Sequence, residues 1–167
     1  YGYRKNPDNL KEWLVDDEAA AVVREIFSLC VGGYGPTQIA NILTERKILC
    51  PTMYAVSKGL KQPSVVPEIP YQWNAPAVSK ILERMEYLGH TVNFKTHVKS
   101  YKVKKKIDND SSQWKIFRDT HEPIIDQETF DIVQKIRQGK KRPTKMGEMP
   151  MFSLSLIHIS EPTRLAL

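Results

Sequence analysis

Six lysines fall within the fourteen residues from Asn93 to Lys106 (NFKTHVKSYKVKKK), with no acid among them. Lysine alternates there with Val, Tyr and Phe, the two-residue period of a strand with one wet, positive face. The ammonium groups of Lys95, Lys99, Lys102, Lys104, Lys105 and Lys106 suit the phosphates of a polyanion, neutralising charge and releasing counterions without reading base sequence. An edge strand kept soluble by lysine is the plainer explanation. Six lysines without one glutamate exceed what edge protection requires, so binding is the favoured reading.

A second constellation lies upstream. With the apolar stripe Val78, Ile81, Leu82 and Met85 turned inward, Ser79, Lys80, Glu83 and Arg84 point outward, with Asn74 at the helix start. Asn, Arg and Lys can hydrogen-bond base edges, and Lys, Ser and helix N-terminal amides can hold phosphates. An ordinary solvated helix face would look similar.

Catalytic chemistry is weakly represented. His90, His97 and His121 lack metal-ligand spacing, and His97 adds to the basic stretch. Asp108 and Asp110 could form a carboxylate pair, but in DNDSS they read as turn residues. No Gly-rich phosphate loop, GxSxG or HExxH motif occurs. Cys30 and Cys50 belong to no CxxC pattern, so neither a zinc site nor a disulfide framework is encoded. No catalytic residue, metal ligand or cofactor is assigned.

These groups need elements to hold them. At 167 residues, 41% hydrophobic and 26% charged, the chain can bury one core. Its net charge of +6 is a moderate excess compatible with nucleic acid. No apolar run approaches a membrane span and no signal peptide is seen. Asn6-Pro7-Asp8-Asn9 marks a turn, and Trp13 is expected to anchor this segment to the core. Asp16 or Asp17 can cap a first helix whose Ala19, Val22, Val23, Ile26, Phe27 and Cys30 share a face, ended by Gly32-Gly33. Gly35-Pro36 opens a second helix with the stripe Ile39, Ala40 and Leu43. Ile48 to Tyr71 reads as an extended Pro-rich insertion. Asn74 caps a third helix expected to run to Tyr87-Leu88-Gly89. A β-hairpin follows, with Val92, Phe94 and Val98 alternating, then Tyr101, Val103 and Ile107 after a phase slip near Ser100 that suggests a bulge or bend. Asp108 to Ser112 is its turn and Gln113 to Arg118 its returning strand. Asp126 caps a last helix with Phe130, Val133 and Ile136 inward. The fold class expected is α+β, mainly helical: a helix-turn-helix-like three-helix unit, a basic hairpin as wing, and a C-terminal helix.

Four stretches carry a family resemblance: YGYRK at the start; DDEAAAVVREIFSLCVGGYGPTQIANILTERKI; the WNAPAVSKIL run with YLG after it; and RDTHEPIIDQETFDIVQ. In this order they resemble the recombinase domain of the large serine recombinases, which include phage integrases and large transposon resolvases. The resemblance covers Tyr1 to about Phe152. It implies a DNA-binding domain that holds an attachment half-site while a serine-bearing catalytic domain elsewhere in the parent protein cuts and rejoins strands. It also implies self-association of the parent into dimers and tetramers on double-stranded DNA, a cytoplasmic location and an origin in a bacterium, phage or mobile element. The family's DNA contacts would fall on the Asn74 to Arg84 helix; assigning the lysine stretch to DNA rests on charge. Residues 1–139 are expected to form the domain and 140–153 a linker toward a zinc-ribbon domain. Residues 154–167, beginning LSLIHISEPTR, resemble a translated sequencing adapter. A protein-interaction module with solubilising lysines and an RNA-binding winged helix are the alternatives.

Overall fold

Heptad-like spacing of apolar residues between Asp17 and Val31 gives the longest helix, and the rest of the core assembles on it. The computed structural model describes residues 1–9, 12–60, 67–100, 102 and 105–139. The expectations for Tyr101, Val103, Lys104, the linker after Gly139 and the segment from Leu154 fall outside these residues.

Helix α1 (Asp17–Val31) buries Ala19, Ala20, Val23, Ile26, Phe27 and Cys30, so its apolar face is the expected one with Ala20 added and Val22 at its edge. Gly32 ends it and Gly33 turns left-handed at φ 94°. Helix α2 (Pro36–Glu45) starts with proline in its first turn, and the Gln38 side chain accepts a hydrogen bond from the Gly35 amide at 2.9 Å. It buries Ile39, Ala40 and Leu43. Helix α4 (Ala75–Glu83) buries Val78, Ile81 and Leu82, and α5 (Gln127–Gly139) buries Phe130 and Val133. These four helices share one core, closed by Trp73, Tyr87, Leu88, Ile124 and Ile125. Each fully buried Leu, Ile, Val or Phe contributes about 1.5–3 kcal/mol, which makes this cluster the main source of stability.

The fold is α+β and mainly helical, but four local expectations need correction. Trp13 lies on β2 (Trp13–Val15), antiparallel to β1 (Tyr3–Lys5), and is 41% exposed beneath the Lys5 ammonium. The anchoring tryptophan is Trp73, buried with its indole N–H donating to the Ile48 carbonyl at 2.9 Å. The Pro-rich segment is not wholly extended: Pro51 opens helix α3 (Pro51–Ser57), which buries Tyr54. Pro51 sets a first turn rather than preventing one. Asp16 occupies the N-cap position of α1 without capping it; its two carboxylate oxygens accept the Tyr54 hydroxyl at 2.8 and 2.9 Å. Finally, α4 stops at Glu83. Arg84 turns extended (ψ 112°), and Met85–Leu88 form a separate 3-10 turn ended by Gly89 at φ 84°.

The remaining strands are nested. Strand β3 (Thr91–Asn93) pairs antiparallel with β6 (Lys115–Phe117). Between them, β4 (Thr96–Val98) pairs with β5 (Lys106–Asp108). The lysine-bearing strand therefore folds back on itself, and Lys115–Phe117 returns to β3 instead of lining the lysines. The expected phase slip near Ser100 is a reversal of the chain.

Candidate nucleic-acid interface

Every residue of β4 and β5 is exposed. Cross-strand partners project from the same face of a two-stranded sheet. Val98 therefore shares a face with Lys106, and His97 shares the other with Ile107. The expected division into one lysine face and one apolar face does not hold here. Val98 is 49% exposed. The reversal nevertheless concentrates charge. Lys99, Lys102, Lys105 and Lys106 are all exposed, and none forms an ion pair with a described residue. Lys104 lies outside the described residues.

Lys95 differs from the other lysines. Its ammonium pairs with Glu86 Oε1 at 2.6 Å and stands 5.4 Å from the centre of the Trp114 ring. It faces the base of the hairpin and is already neutralised there. Lys115, which sequence patterning does not single out, adds positive charge at the hairpin base, its ammonium 5.7 Å from the Phe94 ring centre. Its signal is weak because it stands alone among apolar neighbours.

On α4 the five expected residues divide. Asn74 is exposed, but its side chain accepts the Ala77 amide at 2.8 Å and so caps the helix. Ser79 is half-buried, and its carbonyl accepts from Arg137 at 3.1 Å. Glu83 pairs with the same guanidinium at 2.5 Å. Lys80 remains exposed on the outer strip. Arg84 lies beyond the helix end, beside the Tyr87 hydroxyl, where its charge partly offsets the upward shift that burial gives that phenol. The structure thus brings Lys99, Lys102, Lys105 and Lys106 together, and separates Arg84 and Lys95 from them.

The acidic and imidazole groups have local partners. Asp110 accepts the Ser112 amide at 2.9 Å, and that bond holds its carboxyl below the usual range, as a turn residue requires. His97 Nδ1 bonds Asn109 Oδ1, and His121 Nε2 bonds the Glu86 carbonyl at 2.9 Å. Among the described residues, no group of three or more His, Cys, Asp or Glu could hold a metal ion. No helix among them is long and apolar enough to cross a membrane.

Comparison with known proteins adds two findings. The family described as Recombinase matches residues 17–140. A chain from a solved structure titled "Crystal Structure of a LSR-DNA Complex" is 20% identical, with a TM-score of 0.42. The alignment covers 85% of the present chain and 32% of that chain, so the present chain spans about a third of its length.

Proposed function

The chain belongs to the Recombinase family, and from that premise we propose that it is the DNA-binding domain of a large serine recombinase. Residues 1–139 hold double-stranded DNA at an attachment half-site, and 140–153 link onward to a zinc-ribbon domain. The α1, α2 and α4 helices act as the helix-turn-helix-like unit, with Lys80 and the amides around Asn74 facing the duplex. The β4–β5 hairpin acts as the wing, with Lys99, Lys102, Lys105 and Lys106 on phosphates. Strand exchange belongs to a catalytic domain outside this chain, in a parent that assembles as dimers and tetramers on DNA.

One observation carries this reading. Four exposed lysines crowd a hairpin that contributes nothing to the core, and no described acid pairs with them. Concentrating like charge this way costs stability unless an anion completes it.

Titration of duplex binding against salt is the test. With Lys80 and the four hairpin lysines on phosphates, log affinity falls against log salt with a slope of about −4.5. Replacing Lys102, Lys105 and Lys106 with Glu abolishes duplex binding. Salt-independent affinity, or binding untouched by the charge reversal, overturns the proposal. The second result would favour a protein-docking role for the exposed Phe94, Val98, Ile107, Ile116 and Phe117. Structured RNA outcompeting duplex would favour an RNA-binding role.

A further inference from the structure

Where β3 gives way to β4, the chain changes direction abruptly: Phe94 takes a left-handed φ of 61°. A bulky residue there is uncommon and persists only where its surroundings enforce it. The enforcing group is Asn109, half-buried in an otherwise exposed turn. Its Nδ2 donates to the Phe94 carbonyl at 2.7 Å, and its backbone amide donates to the Lys95 carbonyl at 2.8 Å. Its Oδ1 faces His97 Nδ1, and its own carbonyl accepts the Trp114 indole N–H at 3.2 Å. The Trp114 ring in turn lies against the Lys95 ammonium, which is anchored to Glu86 on the 3-10 turn.

An ordinary turn asparagine or aspartate bonds backbone two residues ahead, as Asp110 does with Ser112. Asn109 instead reaches fifteen residues back along the chain. We propose that Asn109 is a positioning residue that fixes the direction of the β4–β5 hairpin, braced onto the helical body through Trp114, Lys95 and Glu86. This rests on the reading that the hairpin grips DNA. Its consequence is a lysine cluster aimed before the duplex arrives, which spares the cost of ordering it on binding. Lys95 then serves the interface as a brace.

The test uses the full chain with nitroxide labels introduced through non-natural amino acids at the exposed positions Ser28 and Lys102. Pulsed spin-resonance distances give a narrow distribution for the parent and a distribution about twice as wide for Asn109→Ala, as expected when an ordering contact is lost. Trp114→Phe, which keeps an aromatic ring but lacks the N–H donor, gives an intermediate width and carries the test should Asn109→Ala fold poorly. Without labels, duplex affinity of Asn109→Ala falls about five- to tenfold while the salt slope is unchanged, because the same phosphates are engaged once bound. An unchanged distance distribution in both variants overturns the proposal, and so does a broadened distribution with parental affinity. If the parent itself binds no duplex, the DNA reading fails on its own, and the distances still decide whether Asn109 sets the hairpin's direction.

Discussion

Gly89 and Gly33 both adopt positive φ, 84° and 94°, yet they differ in what surrounds them. A Cβ on Gly89 would meet the His121 carbonyl oxygen at 2.5 Å, whereas one on Gly33 would meet nothing within 4 Å. Gly33→Ala should cost only the left-handed penalty, about 1–2 kcal/mol. Gly89→Ala adds overpacking of about 1–3 kcal/mol against backbone that cannot swing aside. Chemical denaturation of the two variants should therefore rank Gly89→Ala clearly below Gly33→Ala. Tyrosines supply a second residue-level expectation. Burial raises the Tyr3 phenol to about 12, and burial with the Asp16 hydrogen bond raises Tyr54 further. In the unfolded chain these phenols titrate near their ordinary value of about 10. The folded state then holds protons that the unfolded state releases, so stability is intact below pH 10 and falls as pH rises from about 10 toward 12. Melting temperatures measured from neutral pH upward should show this decline, and Tyr3→Phe should make it shallower.

At the scale of elements, α4 ends without a glycine because α5 supplies partners for its last turn. Gln134 donates to the Leu82 carbonyl at 2.7 Å, and Arg137 holds both the Ser79 carbonyl and the Glu83 carboxylate. The Arg137 side chain is only 18% exposed, so this is more than a surface ion pair. Arg137→Ala should lower stability by about 1–2 kcal/mol, read as a shifted urea midpoint with an unchanged slope. Much of this level was legible in the sequence. Helices α1, α2 and α5 showed themselves through apolar residues at helical spacing, and Asn74 and Asp126 through capping chemistry; Asp126 accepts the Thr129 amide at 2.8 Å. Strand pairing was not legible. Period-2 alternation across Val92, Phe94 and Val98 fits one long strand as well as two short ones, and nothing local marks Phe94 as the corner. Likewise, the positive charge of the candidate site could be counted from composition. The diversion of Lys95 to Glu86 could not, because it depends on a 3-10 turn where continued helix was expected.

For the whole molecule, stability is divided unevenly. Helices α1, α2, α4 and α5 enclose the buried cluster, while β4 and β5 bury none of their residues. Two-stranded hairpins are marginal by themselves, so local opening should cost far less there than in the core. Amide hydrogen exchange should find the β4 and β5 amides exchanging orders of magnitude faster than those of Val23, Ile26 and Phe27, whose protection tracks global unfolding. Duplex added in the same experiment should slow exchange in the hairpin first. Equal protection throughout would mean that the hairpin is tied to the body more broadly than through its base.

The nesting of β4–β5 inside β3–β6 also makes this region a natural splice point. The outer pair closes the chain ahead of the excursion, so length added at the far end of the hairpin, beyond its Lys95 and Trp114 base, leaves helix packing unchanged. Doubling a flexible loop there adds only about 0.6 kcal/mol of closure entropy. The same scaffold could accept a longer, shorter or differently charged excursion in exchange for this one, so reach and charge can diversify between otherwise similar chains while the helical body is left intact.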